Sequence, residues 1–250
     1  MIQRLLGLPI VASEHGPQLD FYTALVHLLM LALFLGWGAY FVFALHRFSA
    51  KRHPRADYYG TKSKFGKQSE IVVGIIEVLF LVGFAFPAWA IRVNAFPPES
   101  EATVVRVIGE QFAWNVHYPG ADGKFGRTDI KLVDANNPLG LDRRDPDAKD
   151  DITTINQLSL PIDKPVIVHL SSKDVIHSFG LPYFRVKQDA IPGMTIPVWF
   201  KPTMLTPEGE SWEIACSQLC GLGHYRMRGF ITIMTPDKFA GWLKEQAAAQ

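Results

Sequence analysis

Cysteine is scarce: the 250 residues contain only Cys216 and Cys220, so the disulfide framework that staples small secreted folds is absent. The two lie four positions apart, which points to a joint role. An excess of charge of either sign is also missing, with 25 basic against 24 acidic residues. No global basic footprint exists for nucleic acid to dock on. No internal repeat occurs, and the length allows one or two domains. The hydrophobic share of 48% is ordinary for a globular chain, but it is concentrated in the early segments.

Charge is absent altogether from Phe21 to Leu45, a run that exceeds the roughly 20 apolar residues needed to cross a bilayer. A second run, from Ile71 to Ile91, carries Glu77 as its single charge and is also long enough to span. The first run starts too far in, and is too long, for a cleaved signal peptide, so it is expected to be retained. Between the spans lie Arg47, Lys51, Arg52, Arg55, Lys62, Lys64 and Lys67 against Asp57 and Glu70. The positive-inside rule makes this connection cytoplasmic and places both termini, and everything beyond residue 92, on the outer face of the membrane. Residues 1–95 are therefore expected to form a membrane anchor and residues 96–250 an outer domain.

After Pro97 and Pro98 the sequence turns to short β-rich runs, among them ATVVRVIGEQFAWNVHY, KPVIVHLSS, TIPVWFKP, SWEIAC and GFITIMTP, separated by Pro, Gly and Asp clusters. That pattern predicts a small all-β sandwich or barrel. Residues 120–151, rich in Asp, Asn, Pro and Gly, read as a long, solvated and mobile surface loop. Thr235, Pro236 and Asp237 then open a C-terminal amphipathic helix.

The segment from Cys216 to Met227 supplies two thiols, the His224 imidazole and the Met227 thioether within twelve residues. This soft and borderline donor set suits copper better than hard cations, and zinc rarely recruits methionine. His177, near the end of another predicted strand, offers a second imidazole that a sandwich could bring to the same place. The alternative is a local disulfide on the oxidising outer face, with His224 a surface residue and Met227 a core filler. His117 and His169 lack thiolate neighbours and read as structural or exposed. His27, inside the first span, reads as a helix-packing residue.

Two N-terminal spans followed by DVIHSF, QDAIPGM and CSQLCGLGHYRM resemble cytochrome c oxidase subunit II over nearly the whole chain. The resemblance implies a cupredoxin-like sandwich holding CuA, a dinuclear copper centre. Cys216 and Cys220 would bridge the metals, with His177, His224, Met227 and the backbone carbonyl of Gln218 as the other ligands. It further implies a haem-copper subunit I as partner, a cytochrome c or membrane-bound cytochrome as donor, and reduction of oxygen to water in the partner with proton translocation. The setting is a membrane, with a bacterial plasma membrane expected.

The sequence departs from the family pattern in two places, and a third position invites a role. Gln218 stands where Glu is common, so copper keeps its carbonyl ligand but magnesium at the subunit boundary is put in question, a neutral amide being a poor ligand for a hard cation. Gln here also resembles the B-type branch, which usually has one span in this subunit. The aromatic motif for electron input reads Gln111-Phe112-Ala113-Trp114, so Phe112 replaces the tryptophan of the family, and Phe112 and Trp114 become the candidates for that role. Glu70 sits where the family has a glutamate at the mouth of a proton path, and Glu77 lies about two turns further into the membrane. A nitric oxide reductase subunit and a membrane-tethered copper protein acting alone remain as alternatives. The complete Cys, His and Met set argues against a quinol oxidase subunit, and the chain lacks the large catalytic domain of nitrous oxide reductase.

Overall fold

The computed structural model describes residues 5–55, 58–59 and 63–249. Asp57 and Lys62 of the basic connection lie outside them. Helix α1, Gly16–Arg47, contains an 18-residue stretch of mean hydropathy 2.2, and at about 1.5 Å per residue its 32 residues exceed the roughly 30 Å hydrocarbon core of a bilayer. Helix α2, Lys64–Phe80, starts where the Ser63 hydroxyl accepts the N–H of Phe65. It continues through a π-helical turn, Leu81–Ala85, into α3, Phe86–Asn94. The wide turn has a local cause: Pro87 has no N–H for the carbonyl four residues back, and the Phe86 N–H reaches instead to Leu81. The continuous helix Lys64–Asn94 contains an 18-residue stretch of mean hydropathy 2.4.

The second unit is a sandwich of two five-stranded sheets. In the first, β3 (Ile152–Ile155), β2 (Ala113–Tyr118), β1 (Thr103–Glu110), β5 (Val166–Ser172) and β8 (Ile196–Phe200) lie in that order. In the second the order is β4 (Gln157–Pro161), β10 (Arg228–Met234), β9 (Trp212–Cys216), β6 (His177–Leu181), β7 (Val186–Ala190). β1 runs parallel to β5, and β4 parallel to β10, while the remaining pairs are antiparallel. Strand alternation builds the core: Val105 and Val107 of β1 point in with Trp114, Val116, Val168, Leu170, Phe179, Ile214 and Ile231, all buried. Arg106 and Ile108 face the other way. Helix α4, Pro236–Ala248, is capped by Thr235 and lays Phe239, Trp242 and Leu243 against this core. The cupredoxin-like sandwich and C-terminal helix thus agree with the sequence reading.

Two segments differ from expectation. Residues 5–17, counted with the membrane anchor from sequence, belong to the sandwich unit. There the Ala12 N–H bonds the Tyr183 carbonyl, the Thr203 N–H bonds the Ala12 carbonyl, and the Ser13 hydroxyl donates to the Phe184 carbonyl. The 120–151 segment lies at the surface with many of its residues exposed, as expected, but it is not free of the sandwich. It buries Leu139, Leu141 and Ala148 and is tied by its own carboxylates. Asp150 accepts the N–H groups of Ala121 and Asp122, Asp151 accepts that of Gly126 and pairs with His117, and Asp142 takes Arg127 and Arg144. The polar composition that suggested solvation is what replaces secondary structure as the source of hydrogen bonds. Arg144, and then Arg127, hold the Asp142 carboxyl well below the usual carboxylate range.

Candidate metal centre

β6 begins at His177, β9 ends at Cys216, and β10 begins just after Met227. Since β9 pairs antiparallel with both β6 and β10, those three points fall at one end of the same sheet. The β9–β10 connection folds back there, with a 3₁₀ turn at His224–Arg226, and carries Gln218, Cys220 and His224 to the same place. Sequence neighbours thus meet a residue about forty positions away because of strand register alone.

The two Sγ atoms are 3.8 Å apart. That is far beyond a disulfide of about 2.05 Å, and both cysteines are free. It is within the roughly 4.6 Å that one metal can bridge with two sulfur bonds of about 2.3 Å. Cys216 Sγ lies 3.9 Å from His177 Nδ1 and 3.3 Å from the Gln218 carbonyl oxygen. Cys220 Sγ lies 3.6 Å from His224 Nδ1 and 3.6 Å from Met227 Sδ. His177, Cys220 and Met227 are buried, and Cys216 and His224 are half-buried. Burial, followed by the neighbouring Cys216, pushes the Cys220 thiol up to about 11, so a metal must displace its proton on binding. The donors, two thiols, two imidazoles, a thioether and a carbonyl, fit copper.

A second layer holds these ligands. Asp174 Oδ1 sits 2.9 Å from His177 Nε2. A carboxylate only accepts, so the proton resides on Nε2 and the Nδ1 lone pair faces Cys216. Asp174 also accepts the N–H groups of Gln111 and Val175, each at 2.7 Å. Partial burial acts to raise this carboxyl, but the bonds from His177, Gln111 and Val175 outweigh it and keep it below the ordinary value. The Gln111 side chain reaches across to the Cys220 carbonyl at 2.7 Å, tying one metal-bearing loop to the other strand layer. Gly109 is required by closeness, since a Cβ there would meet the His177 ring at 2.9 Å. Sequence reasoning missed Asp174 and Gln111 as supports. The Asp three residues before His177 was the available signal, but a lone i, i+3 pair on a strand approach carries little weight.

The other candidates are placed as follows. Trp114 is wholly buried, its ring centroid 6.0 Å from that of His177 and 5.5 Å from that of Phe179. It therefore lies inside, behind His177, and has no exposed surface. Phe112 is half-buried, packs over Gly221 and Gly223, and has the Arg226 guanidinium 5.8 Å from its ring. Gln218 presents an exposed neutral amide. Glu70 and Glu77 are exposed on α2, seven residues apart and so on one face of the helix. Glu70 borders a cleft of 370 Å³ with Trp37, Tyr40 and Phe65. His27 Nδ1 lies 2.7 Å from the Thr23 carbonyl of its own helix. His117 is buried against Asp151, and His169 sits 3.6 Å from Glu99. None of these three joins the metal cluster.

Residues 103–234 match the family model for the periplasmic domain of cytochrome c oxidase subunit II. An alternative cytochrome c oxidase subunit 2 from Bradyrhizobium diazoefficiens is 38% identical over 148 residues, 59% of this chain and 52% of that relative. Cytochrome c oxidase subunit 2 of Cereibacter sphaeroides is 26% identical over 94% of this chain and 78% of its own length. The solved periplasmic domain of a cytochrome oxidase subunit II from Bradyrhizobium japonicum shares 29% identity over 59% of this chain and 94% of that one, at a TM-score of 0.43. With two apolar helices and a matched domain that spans the whole sandwich, this is a membrane protein with an outer-face domain. The chain belongs to the cytochrome c oxidase subunit II family.

Proposed function

We propose that this chain is the electron-input subunit of a terminal haem-copper oxidase, holding a dinuclear CuA centre with His177, Cys216, the Gln218 carbonyl, Cys220, His224 and Met227. The observation that carries the reading is the convergence of those six donors around two sulfurs 3.8 Å apart. Bound there, a dinuclear copper centre would supply a one-electron site whose change of charge is shared between two metals. The chain's own contribution is rigidity and dryness. Strand ends and the Asp174 and Gln111 bonds fix the ligands, burial of His177, Cys220 and Met227 excludes water, and a full donor set leaves no place for oxygen to react.

Phe112, over the Gly221–Gly223 turn, is the surface-side member of the input path, and Trp114 lines its inner side against His177. The donor is a cytochrome c or membrane-bound cytochrome. Electrons pass on to a haem-bearing subunit I, where oxygen is reduced to water with proton translocation. Glu70 and Glu77, sharing one helix face, serve proton uptake toward that partner. The basic connection is cytoplasmic, both termini and residues 96–250 lie outside, and the membrane is a bacterial plasma membrane. Electron paramagnetic resonance of the copper-loaded full chain is the test: a mixed-valence seven-line pattern is expected. A four-line mononuclear signal would refute the dinuclear assignment.

A further inference from the structure

The outward face of the first sheet carries a feature that copper chemistry does not use. Strand register sets Arg106 directly opposite His117 on β2 and His169 on β5, so the three side chains form one cross-strand row. Adjacent strands are about 4.8 Å apart, and directly paired residues share a face, so the row runs across about 10 Å. The 126–143 part of the insertion lies over this face. Between them is a cavity of 640 Å³ bordered by the row, by the hydroxyls of Thr128, Ser171 and Thr195, and by Ile108, Ile130, Val133 and Leu139.

Three observations mark the cavity as a binding site. Arg106 is half-buried, and its guanidinium lies 4.1 Å from the Phe125 ring centroid without a hydrogen-bond or ion-pair partner among the described residues. A partly desolvated cation with its five donors unused is costly unless something accepts them. The hydroxyls of Thr128, Ser171 and Thr195 are likewise unengaged among the described residues. Finally, Ile130 is 87% and Val133 42% exposed at the rim, apolar surface that a ligand body would cover.

Three acids stand around the row. Asp151 bonds His117 and the Gly126 N–H through Oδ2, keeps a buried Oδ1 without a hydrogen bond and acts on Arg106 only through space, Glu99 lies 3.6 Å from His169 at an exposed position, and Glu110 is paired with Lys173. Arg106 is left as the donor facing the cavity. A guanidinium fork, an imidazole and three hydroxyls are more donors than the two oxygens of a carboxylate can use, and they match the three terminal oxygens of a phosphate monoester. The volume is that of a small-molecule site, about 300–1,000 Å³.

We propose that this cavity binds a phosphate monoester with an apolar body, its phosphate on Arg106 and His169 and its body against Ile108, Ile130, Val133 and Leu139. Isothermal titration of the copper-loaded full chain in detergent is the test, with phenyl phosphate, inorganic phosphate and benzoate as probes. Saturable binding of phenyl phosphate is expected, at least tenfold tighter than either of the others. Arg106→Gln should weaken it tenfold or more, and His169→Asn threefold or more, with the copper resonance unchanged in both. The resonance reports that each variant is folded, and the second variant guards against a folding failure of the first. No saturable heat, equal affinity for benzoate, or full affinity in folded Arg106→Gln would each overturn the proposal. None of these results bears on the copper centre.

Discussion

Asp174→Asn tests how far the proposed copper ligands depend on their supports. The native carboxylate accepts three N–H groups, from His177 at 2.9 Å and from Gln111 and Val175 at 2.7 Å each. An asparagine keeps one oxygen and replaces the other with a donor. If the amide turns its NH₂ to the Oδ2 side, the Gln111 N–H faces another donor; turned the other way, His177 and Val175 do. Either orientation leaves at least one donor unmatched in a partly buried site, a cost of about 1–3 kcal/mol. Loss of the carboxylate on a metal-binding imidazole also lowers metal affinity by about 10–100-fold. Competition of the full chain for copper against a chelator of known affinity should therefore show a loss of at least tenfold, with the sandwich still folded. An Asp174→Asn protein whose copper affinity stays within twofold of the parent would refute the argument. The sign with pH follows from the same bonds. Because the folded carboxyl is held below its ordinary value of about 3.9, its contribution is complete above that value and disappears as the pH falls through the lower, folded one. The support should thus be insensitive to pH near neutrality.

Phe112→Ala removes the ring over Gly221 and Gly223 and is expected to slow electron input from the native donor in stopped-flow measurements while leaving the copper spectrum in place; an unchanged rate would end its assigned role. Trp114→Ala deletes the largest fully buried side chain beside His177 and should destabilise the sandwich by about 3–5 kcal/mol, read by denaturant titration of its fluorescence and circular dichroism. Glu70→Ala and Glu77→Gln should each slow oxidase turnover with the copper resonance intact, and normal turnover in both would remove the proton-uptake role.

Much of the molecule is legible along the chain because its signals are local. The two spans follow from long apolar runs, the strands from short β-rich runs bounded by Pro, Gly and Asp clusters, and the copper motif from four donors within twelve residues. The helix at Pro236–Ala248 follows from the Thr-Pro-Asp start. These readings need only neighbours in sequence, since water and lipid act on each segment directly.

Register and long-range closure were decided by tertiary structure. Only the antiparallel pairing of β6 with β9 carries His177 to Cys216, and only the β1 turn brings Gln111 to both Asp174 and the Cys220 carbonyl. Composition marks residues 120–151 as a surface loop but cannot say which Asp or Asn meets a backbone N–H rather than water, and the anchor reading of residues 5–17 missed their bonds to Tyr183, Phe184 and Thr203. The row of His117, Arg106 and His169 is invisible in sequence for the same reason. A hydrogen bond or a shared face depends on which strands lie side by side, and that choice is made by burying one common core.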